Sequence, residues 1–382
     1  MQNITQWNKE TRLQREDQDG EVPEALQIPT RPVALSMQVL IGAANIVVQL
    51  SILPISLLLL PTQIAAFDPV HKISNYGLVV ALGAFAALLA NLLAGAFSDR
   101  TTSRFGRRRP WLLGGTLTGG VMLAVLASAA NMLVLTLAWT LLQVCLNLVL
   151  AALAAVVPDQ VPVRQRATVS AFVGLSAPVG IVIGDILIAV LIRSTSLSYY
   201  TIMDMLLAIM LLFVLVMRDP VLPEKAAPPL RLRSFMTSLW INPIQYPDVG
   251  WTWLTRFLVY LGFHLTFSYL LYYVQDALHY ERLFPGQHTS QGVATLQVIT
   301  TGIAIIAALS SGIISDRLQR RKVFVIGASM VIALSLLSLA FFHTWQAAEI
   351  SAAFLGIGFG GYFAVDNALV TQVITSTSVR GK

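Results

Sequence analysis

The sequence predicts an all-α integral membrane protein, a bundle of about ten transmembrane helices. Three observations carry that expectation. Of the 382 residues, 56% are hydrophobic and only 12% are charged, with a mean hydropathy of +0.71. Soluble chains carry roughly 25% charged residues, so half the usual cover for a water-facing surface is missing. The apolar residues also gather into runs of the length needed to cross a bilayer, about 20 residues each. Finally, the runs are continuously apolar, which fits spanning helices and not the alternating strands of a barrel.

Taken in order, the runs lie at 34-60, 75-97, 111-130, 132-157, 167-192, 198-217, 249-274, 292-314, 323-342 and 346-371. The segment 61-73, with Pro61, Asp68 and Pro69, is expected to break the first pair. Residues 1-33 form a polar tail that includes Lys9, Arg12, Arg15 and Glu16 and has no apolar core, unlike a cleavable signal peptide. The stretch 218-248 is rich in proline and charge and reads as a linker. The expected organisation is therefore a cytoplasmic tail at 1-33, a six-helix bundle at 34-217, the linker, and a second bundle of four helices at 249-382. The lone Cys145 lies inside an apolar run, so no disulfide framework is expected.

Charge sets the orientation. With the N-terminus in the cytoplasm, only Lys72, Arg193 and Arg282 fall outside, and Arg256 lies within the seventh run. Every other lysine and arginine of the 25 falls inside, as the positive-inside rule requires. The expected location is the cell membrane, with several passes. The net charge of +6 does not suggest nucleic acid, because the basic residues are scattered through loops without aromatic platforms.

A repeat is visible. The second run ends Gly95-Ala96-Phe97-Ser98-Asp99-Arg100, followed by Arg104, Gly106, Arg107, Arg108, Arg109 and Pro110. The eighth ends Gly312-Ile313-Ile314-Ser315-Asp316-Arg317, followed by Arg320, Arg321 and Lys322. The fourth ends Gln160-Val161 with Arg166-Ala167 beyond it, and the tenth ends Gln372-Val373 with Arg380-Gly381 beyond it. Basic inner loops alone would explain the arginines. They would not explain Gly-x-x-Ser-Asp-Arg recurring at corresponding helix ends, which a duplicated six-helix unit does explain.

The Gly-x-x-Ser-Asp-Arg loop, its weaker copy and the central linker resemble the major facilitator superfamily over essentially the whole chain. The longer loop from Arg100 to Gly106, with Pro158-Asp159-Gln160-Val161-Pro162 and Arg166, resembles the sucrose-carrier and glycoside-pentoside-hexuronide branches. The resemblance implies a pseudo-symmetric bundle with twelve spans, of which the last two are missing here. It also implies that the acid at Asp99 faces an eleventh helix, and that Asp316 faces the start of the fifth near Ala167. The implied gating set is Gly95, Asp99, Arg100, Gly106, Arg107, Arg108 and Arg109, with Asp316, Arg317 and Arg321 from the copy. These would form inner charge contacts that exist in one state and break in the other; solvated loop charges, worth roughly 0–1 kcal/mol each, are the alternative.

An acid inside a membrane costs roughly 2.5–3.5 kcal/mol at a helix centre and is by default a functional hint. Asp366 lies inside the tenth run beside Asn367, after the flexible Gly356, Gly358, Gly360 and Gly361. Asp185 lies in the outer half of the fifth run, and Asp204 near the outer end of the sixth. His264, in the seventh, titrates close to neutral pH and is a candidate for a proton path. Gln143 and Asn147 lead the neutral polar groups in the runs, with Asn45, Gln49, Asn91 and Gln297. Tyr260, Tyr269, Tyr272 and Tyr273 could offer aromatic faces to a sugar, or anchor the span at the interface. Plant sucrose carriers have an acid and an arginine in the fourth span, where this sequence has Gln143 and Ala154.

No metal spacing, phosphate loop or nucleophile elbow is present, so neither enzyme, cofactor nor metal is expected. The expected function is secondary active transport of a small organic solute, a sugar or glycoside, with protons, by a monomer. The partners are then the solute, a proton or other cation, and the lipid bilayer, with no nucleic acid. An exporter of drugs or metabolites by proton antiport and a non-transporting receptor or scaffold are the alternatives.

Overall fold

A computed structural model describes residues 29–98, 100–192, 194–223, 247–318 and 321–380. Side chains at 96, 247–249, 312, 313, 315–318, 321, 322 and 366–380 lie outside that description. Among the described residues, ten helices are long and apolar enough to cross a membrane. They run Leu35–Phe67, Lys72–Gly95, Arg109–Ala127, Met132–Gln160, Val163–Leu191, Thr195–Val216, Gly250–Ala277, Thr289–Ser311, Val323–Phe341 and Trp345–Val365, and are called spans one to ten. Large apolar side chains such as Leu215, Ile306 and Leu334 remain 78%, 69% and 66% exposed on them. In water such surfaces would aggregate; in lipid they are the solvent-matched face.

The described residues divide into two compact units. One holds those within 29–52, 79–177 and 199–223, the other those within 53–78, 178–198 and 247–380. The first unit packs through small residues. A Cβ at Gly115 would lie 2.8 Å from the Cys145 carbonyl, and one at Gly83 would lie 2.5 Å from Trp139 Nε1. Span three therefore lies backbone-close to span four, and Gly83 serves packing.

In the second unit, span ten is held in the same way. A Cβ at Gly356 would sit 2.5 Å from the Thr300 carbonyl, and one at Gly360 2.2 Å from that of Ala304. Gly358 meets Ile332 and the Ala328 carbonyl of span nine. The glycines expected to be flexible are close-approach positions. Phe267, Ile332, Leu355, Phe359 and Tyr362 form a buried cluster beside them.

The first span differs from expectation at its proline. It does not stop at Pro61 but continues to Phe67, through an i→i+5 turn over Ile55–Leu59. In that register the carbonyl that Pro61 cannot serve belongs to Ser56, and the Tyr76 hydroxyl donates to it at 2.8 Å. The break falls at Asp68, whose carboxylate accepts from the His71 amide at 3.0 Å and from Asn75 Nδ2 at 3.0 Å. These bonds, the amide first, hold the Asp68 carboxyl below its ordinary value of 3.8. Gly184 of span five rests against Pro54, which a Cβ would approach to 2.2 Å.

Candidate functional site

The loop between spans two and three is built around two carboxylates. Asp159, near the end of span four, takes Arg107 Nη2 at 2.5 Å and Arg108 Nε at 3.0 Å. Arg108 also donates to the Ser98 hydroxyl at the end of span two. Arg107 and Arg108 are 8% and 3% exposed, so these are not solvated loop charges. Asp219, just past span six, accepts the amides of Arg108 at 2.6 Å and Arg109 at 2.7 Å. Those amides open span three, where a helix start favours an anion. Gly106 makes the turn with φ +107, and a Cβ there would fall 2.3 Å from Asp219 Oδ2. Arg109 donates to the Met217 carbonyl, and Arg166 to the Val161 and Pro158 carbonyls, each at 3.0 Å. The arrangement ties the ends of spans two, three, four and six together through charge.

Asp219 is absent from the set expected from the sequence, and its place at the start of a linker gives no local signal. Gly95 meets nothing within 4 Å of a built Cβ, and the Arg100 amide donates to the Phe97 carbonyl. Asp99 and the side chains of Asp316, Arg317, Arg321, Asp366 and Asn367 lie outside the described residues. The helix around Asp366 runs unbroken over Trp345–Arg380.

Within the spans, the structure brings Gln143 and Asn147 together. Asn91 Nδ2 donates to Asn147 Oδ1 at 2.6 Å, and Asn147 Nδ2 donates to the Gln143 carbonyl at 2.8 Å. Asp185 is fully buried, and among the described residues neither carboxylate oxygen has a hydrogen-bond partner. Gln297 is buried in the same way, with both amide atoms unpaired among the described residues. Asp204 is exposed; His264 is also exposed, with Phe263 at its edge. Asp185 is thus the acid that the fold encloses.

At the other ends of the spans lies a fastening made of aromatics and one ion pair. Lys72 Nζ lies 2.7 Å from Asp276 Oδ2 and 5.1 Å from the Tyr272 ring centroid. The Tyr272 hydroxyl donates to the Pro61 carbonyl at 3.0 Å. Tyr76 meets Tyr269 and Tyr272 edge-on at 5.6 and 5.8 Å, and Gly77 leaves room for the Tyr269 hydroxyl. Tyr273 donates to the Leu339 carbonyl at 2.8 Å, and Tyr260 packs on Phe363. The four tyrosines of span seven are engaged in holding helices together. Tyr280, buried in the short helix Tyr280–Leu283 beyond span seven, has its hydroxyl pushed up by burial and then by Glu349.

Among the described residues no group of acids, histidines and cysteines could hold a metal. The arrangement has helix-end charge ties, polar groups within the spans and a buried lone acid, which suits moving a solute through a lipid barrier.

Comparison with known proteins gives the same direction. The protein is similar to a bacterial homolog of the human lysosomal transporter Spinster, inward-facing and unoccupied. The TM-score is 0.61 and the identity 15%, over 89% of this chain and 78% of that one. The occupied, inward-facing form matches with a TM-score of 0.60 and 15% identity, over 90% and 79%. A mutant of the nucleoside transporter NupG matches with a TM-score of 0.58 and 11% identity, over 87% and 85%. No curated protein matches the chain. The sequence profile of the Major Facilitator Superfamily matches residues 35–381, and the chain belongs to that family of membrane transporters.

Proposed function

We propose that the protein is a secondary carrier that moves a small neutral organic solute, a sugar or glycoside, together with protons by alternating access. The observation that carries this reading is Asp185: a fully buried acid inside a span, with no hydrogen-bond partner among the described residues. A membrane acid left unpaired has an expense that packing does not explain, and gaining and losing a proton explains it. Asp366, just past the tenth span in the helix Trp345–Arg380, is the second coupling acid, with Asn367 beside it. The amide series Asn91, Asn147 and Gln143 supports a neutral, hydroxyl-bearing solute, since it offers donors and acceptors without net charge. His264 is a lesser candidate for the proton path.

Alternating access needs closures that differ between states. The Arg107–Asp159, Arg108–Asp159 and Asp219 bonds supply one at the inner end, with Gly95, Asp99, Arg100, Gly106 and Arg109 in the same loop and Asp316, Arg317 and Arg321 in the repeat. The Lys72–Asp276 pair and the Tyr76, Tyr269 and Tyr272 contacts supply one at the outer end. The N-terminus is placed in the cytoplasm, the bundles at 34-217 and 249-382, and the carrier in the cell membrane as a monomer.

Proteoliposomes with an inward proton gradient test the proposal. Labelled glycosides should accumulate in them, and Asp185→Asn should abolish accumulation while exchange without a gradient survives. Extrusion driven by the same gradient would point to an antiport exporter, and saturable binding without flux to a receptor. Coupled uptake that survives neutralisation of both Asp185 and Asp366 would refute the assignment of the coupling acids.

A further inference from the structure

The second unit contains a cavity of about 420 Å³ at the ends of spans one, five, six, seven and eight that lie away from the loop 98–110. Leu58, Leu59, Ile188, Ala189 and Leu271 make its wall partly apolar. Thr62, Ser198, Gln275, Glu281, His288 and Thr289 are among its polar groups. None of these residues belongs to the amide series or to either charge tie, so the cavity is a separate place in the fold. Its volume lies in the range of pockets that enclose small organic ligands, about 300–1,000 Å³.

The hydrogen bonds already made decide what it can accept. The Thr62 hydroxyl donates to the Leu58 carbonyl at 2.6 Å, and the Ser198 hydroxyl to the Ser194 carbonyl at 3.0 Å. The Thr289 hydroxyl donates to Glu281 Oε1 at 3.0 Å, and the Thr289 amide donates to the same oxygen at 3.2 Å. Each of these hydroxyls has committed its proton and retains only lone pairs. The second carboxylate oxygen of Glu281 accepts nothing among the described residues. Gln275 Oε1 takes Lys72 Nζ at 3.5 Å, which leaves its amide protons as donors on the wall beside the His288 ring and the Ser290 hydroxyl. The cavity thus suits a ligand that both donates and accepts hydrogen bonds. Glu281 disfavours an anion, and Lys72, which borders Gln275, already has its charge paired with Asp276.

We infer that this cavity is a vestibular binding site for a neutral, hydroxylated solute with one apolar face, a sugar or glycoside, held before it reaches the span interior. Its ligand class rests on the transport reading given above. In the complex, sugar hydroxyls donate to Glu281 Oε2 and to the oxygens of Thr62 and Ser198. The apolar face lies against Leu58, Ile188 and Leu271.

Equilibrium dialysis of the full chain in phosphatidylcholine nanodiscs, with labelled sucrose and 4-nitrophenyl β-glucoside as probes, tests this. Wild-type protein should bind two equivalents of at least one probe. Ala189→Trp and Ala66→Trp fill the cavity from different helices, and each should remove one equivalent while elution volume and melting temperature stay unchanged. Glu281→Gln should weaken that equivalent about tenfold, the loss of one hydrogen bond to a charged acceptor. Binding of neither probe, a stoichiometry insensitive to both tryptophans, or displacement of the Glu281-sensitive equivalent by phenethylamine and not by sugars would overturn the inference. Proteoliposome uptake separates the two ideas. Cavity-sensitive binding without gradient-driven accumulation keeps the vestibule and ends the symport reading; accumulation with cavity-insensitive binding does the reverse.

Discussion

Asp219 holds two backbone amides with one oxygen, and its removal would strand both at the start of a helix. Asp219→Ala should therefore destabilise the detergent-solubilised protein by about 1–3 kcal/mol, read as a lower thermal midpoint. Gly106→Ala should act at the same place, because both the positive φ and the nearby carboxylate exclude a Cβ. A melting curve unchanged by both substitutions would show that the loop is not organised around Asp219. Asp68 gives a pH-dependent case. Its carboxyl is held below 3.8, so the turn's support is fully present above that value and is lost as pH falls through the lower folded one. Hydrogen exchange at the His71 amide should accelerate over that acid window and stay constant above it. At this scale the sequence announced the arginines and Gly106 but not Asp219, which lies 111 residues from Arg108. Only the fold brings them together. Asp185 was legible as an acid within an apolar run, though its lack of a partner among the described residues was not, and Asp204, expected near the outer end of its run, is exposed.

Span ten separates two kinds of glycine that look alike in a sequence. Gly360 lies against the Ala304 backbone, whereas Gly302 in span eight meets nothing within 4 Å. Gly360→Val should cost about 1–3 kcal/mol by forcing the two helices apart. Gly302→Ala should be neutral or stabilise by about 0.5–1 kcal/mol, through its effect on helix propensity. Parallel thermal melts check the contrast, and equal effects would contradict the packing described. The run of glycines was visible from composition, but its role depended on which helices flank it, and no single-chain pattern records that. The first span shows the converse. Pro61 read as a break, yet the i→i+5 turn and the Tyr76 hydroxyl absorb the missing donor, and the helix continues to Phe67. Tyr76→Phe should reopen that deficit and lower the thermal midpoint, while Tyr273→Phe tests a bond at another seam.

For the whole molecule, the number and approximate limits of the spans were readable because bilayer thickness fixes helix length and lipid demands continuous apolarity. The fastening of Lys72 to Asp276 was not readable, since each residue looks like an ordinary interface charge until the fold places them 2.7 Å apart. If this fastening is a closure, a cleavable bifunctional thiol reagent joining Lys72→Cys to Asp276→Cys should stop uptake, and cleaving the link should restore it. The background should carry Cys145→Ala, which removes the single native thiol. Uptake that continues at full rate across the link would mean that these ends need not separate during transport.

The seam between Gly184 and Pro54 has a consequence for coupling. The proline ring occupies the space of a missing side chain, and the next residue along the helix is Asp185. Interfaces packed without slack pass displacement on instead of absorbing it. On the reading of Asp185 proposed above, a change of protonation there would then drag the stretch at 53–60 along with it, as a rack follows its pinion. Loading a proton and reshaping the first helix would be one mechanical event, not two in sequence.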